Sequence, residues 1–174
     1  QSILQSVAIA DTLSIRDGLV QLTLGARRQN VDTRAFSPAG DTTNHYDQSA
    51  TTPSAALVVR PTEQWSLYAN YIEALTAGGS APADAANSDA VFAPYKSKQY
   101  ELGTKLDYGT FGATLALFQI SVPGGVVDPV TKVYSLDGEQ RNRGIELNGF
   151  GELAKGVRLM GGVTWLDAEQ RRTQ

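Results

Sequence analysis

The stretch SLDGEQRNRGIELNGFGEL, Ser135–Leu153, sets the problem of this chain. Glu139, Arg141, Arg143, Glu146 and Glu152 stand among Ile145, Leu147 and Phe150, in a run long enough for an extended strand. Successive side chains of a strand point to opposite faces. Two kinds of sheet produce such a pattern: a soluble sheet with one wet face, or a membrane strand with lipid on one side and a water-filled lumen on the other. On the membrane reading, Ile145, Leu147, Gly149 and Gly151 meet lipid, while Glu146, Asn148 and Glu152 meet the lumen. Phe150 breaks the polar side and needs a partner there, or a bulge. A charge on the lipid side costs about 2–4 kcal/mol at the midplane and little inside, so the register is strongly specified.

The same period of two recurs outward from this stretch, and helical periodicity is almost absent. Tyr100, Leu102, Thr104, Leu106 and Tyr108 share one face, and Gln99, Glu101, Gly103, Lys105 and Asp107 share the other. Trp65, Leu67, Ala69 and Tyr71 form another apolar face, as do Val157, Leu159, Gly161, Val163 and Trp165, and Val20, Leu22, Leu24 and Ala26. Short turn signals lie at Arg16-Asp17-Gly18, Pro61 to Gln64, Tyr108-Gly109-Thr110 and Ala154-Lys155-Gly156. Longer polar stretches, Phe36 to Thr52, Ala77 to Pro94 and Val122 to Thr131, alternate with them. The pattern predicts eight strands, at 3–15, 19–35, 54–61, 64–76, 96–108, 111–122, 132–151 and 156–170.

Sorting connections by length in this way is characteristic of an outer-membrane barrel, with short turns at one end and long loops at the other. The aromatic residues suit two interfacial belts. Trp65, Tyr108 and Phe111 lie beside short turns; Tyr71, Tyr95, Tyr100 and Trp165 lie toward the long loops. The expected fold is all-β: an antiparallel, up-and-down transmembrane β-barrel segment. The alternative from the same alternation is a soluble or surface-exposed β-sandwich, a binding module or adhesin whose apolar faces pack on each other.

Composition narrows the function. The chain has 174 residues, 41% hydrophobic and 19% charged, with a formal net charge of -3 and its Lys and Arg scattered, which offers nothing to nucleic acid. With no cysteine there is no disulfide, thiolate metal site or cysteine nucleophile. No apolar run approaches the ~20 residues of a spanning helix. His45, the only histidine, lies in a polar stretch and reads as a solvated side chain. Asp41, Asp47, Asp84 and Asp89 fit no calcium-loop spacing. No catalytic set and no metal site are expected, and the chain is not read as an enzyme. It starts at Gln1 without a methionine, and the expectation is a segment of a longer protein.

Two further strings carry a family resemblance. FAPYKSKQYELGTKLDYGTFGATLALFQI (Phe92 to Ile120) and DGEQRNRGIELNGFGELAKGVRLMGGVTWLDA (Asp137 to Ala168) resemble the β-barrel of TonB-dependent ferric-siderophore receptors. SLYANYIEAL (Ser66 to Leu75) and DTLSIRDGLVQLTLGARRQNVD (Asp11 to Asp32) resemble earlier strands of that barrel. The resemblance implies that residues 1–174 are part of a barrel of about 22 strands, plugged by an N-terminal domain and open here at both edges. It implies an outer-membrane receptor of a Gram-negative bacterium, with a ferric siderophore as transported ligand and no resident cofactor. Energy would come through the partner TonB, acting on an N-terminal box that this sequence does not show. The loop aromatics Tyr46, Phe92, Tyr95 and Tyr134 are the candidates for ligand contact. Arg141, Arg143 and Glu146 are the candidates for lumen-facing charge that touches the plug or guides an anionic chelate.

Overall fold

A computed structural model describes residues 2–172 apart from 77 and 89. All regular structure among them is strand: β1 Ser2–Ile15, β2 Val20–Phe36, β3 Thr42–Thr62, β4 Trp65–Thr76, β5 Tyr95–Asp107, β6 Phe111–Val127, β7 Tyr134–Ala154 and β8 Val157–Arg172. They form a single antiparallel meander in the order β1 to β8. All eight expected strands are present.

The strand tops are longer than their composition suggests. The polar stretch after Phe36 is not a long loop, because β3 begins at Thr42 and pairs with β2 along its whole upper length. Likewise β6 continues to Val127 and pairs with β7 down from Tyr134. These extensions lie beyond the apolar band, so nothing forces them to alternate. Prolines decide where neighbours part. The β3–β4 ladder begins at Ser54, one residue after Pro53, and the β5–β6 ladder ends at Ser121, two residues before Pro123. A proline has no N–H to give a ladder, so it is tolerated where one side of the strand is unpaired. Above these points β3 stays paired with β2, which β1 accompanies up to Thr33, and β6 with β7, which β8 accompanies up to Gly138.

Cross-strand partners share a face, so the register defines the two faces directly. One complete row reads Ile15, Val20, Val59, Leu67, Thr104, Leu115, Leu147 and Val163; the next reads Leu13, Leu22, Leu57, Ala69, Leu102, Leu117, Ile145 and Trp165. No second layer covers this face. Leu102 is 57% exposed and Trp165 69%. A β-sandwich would bury such residues, and the sandwich alternative fails on this point. The buried hydrophobic residues are Val31, Tyr46, Ala81 and Ala85, which lie on the tall β2–β3 hairpin and in the β4–β5 connection.

Candidate functional site

The apolar face ends in charge at one side, and the boundary is oblique. It falls after Trp165 on β8 and after Ile145 on β7, where Asp167 and Arg143 follow. On β4 and β5 it falls one row higher, after Tyr71 and Tyr100. On β2 it follows Ala26, and on β1 it reaches Val7, with Asp11 as an acidic interruption. From the row of Leu13 to Val7 is six residues, ~20 Å, over seven strand spacings, ~34 Å. The slope is ~30°, close to the tilt of strands in a membrane barrel. A band defined by a flat water–lipid boundary crosses tilted strands in this way.

Aromatic residues mark both limits. Tyr108 and Phe111 stack with centroids 4.9 Å apart beside a short turn, and Trp65 Nε1 donates to Thr104 Oγ1 at 2.7 Å. At the other limit Tyr71 and Tyr100 are cross-strand partners 4.9 Å apart, and the Tyr71 hydroxyl donates to Glu73. Tyr95 is an exception to the expected belt. It lies an odd number of residues from Tyr100 and so stands on the opposite face.

The opposite face is polar and is lined by aromatic rings lying across glycines. Tyr68, Phe118 and Phe150 are the cross-strand partners of Gly103, Gly144 and Gly112. A Cβ at these glycines would meet the partner ring at 2.4, 2.5 and 2.6 Å respectively. Phe150 thus has the partner its position required. Glycine here leaves room for the neighbouring ring, a known device for stabilising glycine in strands. The Tyr68 hydroxyl lies within the field of the Glu101 and Glu146 carboxylates. Glu101 also accepts from Gln99, and Glu146 from Asn148. Asn70, the partner of Glu101, buries an Oδ1 with no donor. The face is rich in acceptors.

The register divides the three charges expected in the lumen. Glu146 stands on this polar face. Arg141 and Arg143 lie on the face of Ile145 and Leu147, above the apolar band, and their expected lumen placement is corrected. There Arg141 Nε pairs with Glu139 at 2.8 Å, Arg143 with Glu169 at 3.7 Å, and Lys96 with Glu73 at 3.3 Å. Hydrogen bonds from Arg141 and Ser121 hold the Glu139 carboxyl below its ordinary range. The guanidinium on β7 has become part of an outer ladder of ion pairs.

The tall ends of the sheet are stitched together by the β4–β5 connection. At one end the Gly78 N–H donates to the Tyr46 hydroxyl at 3.1 Å, and burial pushes that phenol's pKa up. At the other, Asn87 Nδ2 donates to Tyr134 O at 2.9 Å, and Tyr134 N donates to Asn87 Oδ1 at 2.8 Å. Ala86 N adds a bond to Lys132 O at 2.8 Å, and the Phe92 and Tyr134 rings meet edge-on at 5.3 Å. Of the four candidate aromatics, Tyr46 is a buried strut, Phe92 and Tyr134 are a packed pair, and Tyr95 lies apart at the foot of the connection. Asn87 carries more of this geometry than any aromatic, and nothing in its sequence surroundings marks it.

His45 belongs to a charged knot on β2–β3. Its Nε2 is 3.2 Å from Asp32 Oδ1, and Asp32 is the cross-strand partner of Asp47. The three ligand-type atoms lie within 4.8 Å of one another. Arg34, however, already reaches both oxygens of Asp32, at 3.2 and 2.9 Å. That hydrogen bonding holds the Asp32 carboxyl below its ordinary value, and the guanidinium is the counter-charge. Asp41 and Asp84 are not part of this group, and Asp89 lies outside the described residues.

Comparison with known proteins agrees with this geometry. The family model described as TonB dependent receptor-like, beta-barrel, matches residues 5–174. The chain belongs to the TonB-dependent receptor family. It is 47% identical over 167 residues to the ferrichrome receptor FcuA of Yersinia enterocolitica, covering 92% of this chain and 22% of that protein. It is 32% identical over 133 residues to the metal-pseudopaline receptor CntO of Pseudomonas aeruginosa, covering 74% and 18%. The structure of BauA, the ferric preacinetobactin receptor of Acinetobacter baumannii, superposes with a TM-score of 0.82 at 46% identity, over 95% of this chain and 25% of that one. The chain thus spans about a fifth to a quarter of the length of the relatives it matches. As a TonB-dependent receptor segment it is outer-membrane barrel wall: the apolar face meets lipid and the acceptor-rich face meets the lumen. These relatives are receptors, and none is named as an enzyme.

Proposed function

We propose that this segment is wall and mouth of a receptor that takes up a ferric siderophore across the outer membrane with energy supplied through TonB. The observation that carries the reading is near-half identity along almost the whole chain to two proteins named for ferric-siderophore ligands. The wall's chemistry supports it. Lumen-facing Glu101 and Glu146, with the orphan acceptor of Asn70, ask for donors from whatever fills the barrel, and the cationic groups of a plug domain would satisfy them. At the mouth, Phe92, Tyr95 and Tyr134 offer aromatic surface to a chelate, and Tyr46 acts from behind by holding the connection in place.

The test is uptake of radioactive iron by cells whose own siderophore receptors are deleted and which express the full-length receptor. Hydroxamate, catecholate and mixed-type ferric siderophores are supplied in turn. The expected result is uptake with at least one class, abolished by loss of TonB. Folded receptor at the cell surface with no TonB-dependent uptake of any class would refute the proposal. Phe92→Ala should raise the half-saturating ligand concentration, while Tyr46→Phe should alter it less.

A further inference from the structure

We propose that Asp32, His45 and Asp47, high on the β2–β3 hairpin, form a binding site for a divalent transition-metal ion of the zinc type, with Arg34 as a built-in competitor that occupies Asp32 when no metal is bound. The site is independent of which ligand the receptor transports. Asp32 lies six residues beyond Ala26 on the outer face of β2, ~20 Å along the strand, so the lumen does not open on it. The ladder places the ligands: Asp32 is the cross-strand partner of Asp47, and Arg34 of His45. Residues two apart on a strand share a face, and cross-strand partners hold their Cβ atoms ~4.5–5.5 Å apart. One ligand-type atom from each of Asp32, His45 and Asp47 lies within 4.8 Å of the other two. Around a zinc ion, with each ligand at ~2.0–2.2 Å, neighbouring ligand atoms stand ~3.4 Å apart. Rotation of side chains closes that gap, since His45 is 45% exposed and Asp47 is exposed too. The paired backbone beneath them need not move.

Two carboxylates directly opposite one another in a sheet repel. Arg34 answers Asp32 with two hydrogen bonds and reaches Asp47 only through its field. Arg28, on the same face and four residues below Asp32, donates to Ser49 at 3.2 Å. A guanidinium offers donors alone, so it cannot use the imidazole nitrogen of His45. A dication meets both carboxylates and that nitrogen together. One imidazole nitrogen with two carboxylate oxygens suits zinc and its neighbours, whereas magnesium and calcium take shells of oxygen. Three protein ligands leave the fourth position of a tetrahedral ion to water. The position in the fold gives such a site a consequence. His45 and Asp47 flank Tyr46, which points to the other face and accepts the Gly78 N–H. A metal that clamps both neighbours stiffens the strut that holds the β4–β5 connection.

The experiment uses full-length receptor in mild detergent, stripped with a chelator and titrated with zinc chloride by calorimetry; zinc bound elsewhere on the receptor cancels between variants. His45→Ala and Asp47→Asn should each weaken binding at this site about tenfold or more, and Arg34→Gln, which removes the competitor, should tighten it about tenfold. Magnesium chloride should give no matching heat. Zinc binding unchanged by both His45→Ala and Asp47→Asn, with the variants folded by heat-modified gel mobility, would overturn the proposal. Magnesium bound as tightly as zinc would make the cluster a diffuse acidic patch and overturn it as well. A second measurement uses wild type alone and does not involve uptake: zinc should slow amide exchange in residues 30–47 about tenfold, and exchange there unchanged at saturating zinc would overturn the site.

Discussion

The rings that lie across glycines on the lumen face make a quantitative prediction. At Gly103 the three atoms nearest to an added Cβ all belong to one side chain, Tyr68, at 2.4, 2.5 and 2.6 Å. Gly103→Ala must therefore push the Tyr68 ring out of its place beside Glu101. Overpacking of this kind costs about 1–3 kcal/mol. With the ring removed by Tyr68→Ala, these three contacts are gone, and alanine should be better than glycine in a strand by about 0.5–1 kcal/mol. The sign of the Gly103→Ala effect should reverse between the two backgrounds, a coupling of about 2 kcal/mol or more. The assay is urea unfolding of the full-length receptor refolded into lipid vesicles, with a double-mutant cycle over the four variants. Equal destabilisation by Gly103→Ala in both backgrounds would refute the reasoning, since the cost would then come from backbone and not from the ring.

Three further outcomes follow from the loops and turns. Asn87→Ala removes both bonds to the Tyr134 backbone and should release the β4–β5 connection by about 2 kcal/mol, read as roughly 30-fold faster amide exchange near residues 78–88; Tyr46→Phe, losing one bond, should give about 1 kcal/mol. The Asp32 carboxyl is held below its ordinary 3.8, so its contribution to the β2–β3 hairpin is present above that pH and lost as pH falls through the lower folded value. Exchange in residues 30–47 should therefore be flat from pH 7 to pH 5, after correction for intrinsic rates, and rise below about pH 3.8; Asp32→Asn should abolish the rise. Arg16 sits in the left-handed region at φ 51°, so Arg16→Gly in that turn should stabilise the barrel by about 1 kcal/mol in the same urea assay.

The strands and their order were legible because lipid on one side and water on the other force a period of two. Where that constraint ends, so does the signal. The run from Thr42 to Thr52 is strand in the structure but rises above the band, and its Asn, Asp, Gln and Thr content reads as loop. Parity was available for Arg141, Arg143 and Tyr95, each an even or odd step from a placed neighbour, and following it would have set all three on their correct faces. The Gly103–Tyr68, Gly144–Phe118 and Gly112–Phe150 pairs were not available, because they depend on the register between strands and not on alternation within one. Asn87 was hidden for a similar reason: its partner is 47 residues away.

Pro53 and Pro123 link the wall to the mouth. Each lies where its strand has lost one neighbour: above Pro53, β3 keeps β2, which β1 flanks up to Thr33, and above Pro123, β6 keeps β7, which β8 flanks up to Gly138. The upper edges of β3 and β6 are thereby left without a ladder partner. The β4–β5 connection reaches both hairpins, bonded at Tyr46 on one and at Lys132 and Tyr134 on the other. The connection itself is thus held by a few hydrogen bonds and one ring pair, while the strands it joins are held by backbone ladders. Local stability must therefore be lower in the β4–β5 connection than in those strands. On the uptake function proposed above, that difference gives the mouth a wall that does not deform and, above it, a connection whose few bonds a ligand's contacts can outweigh.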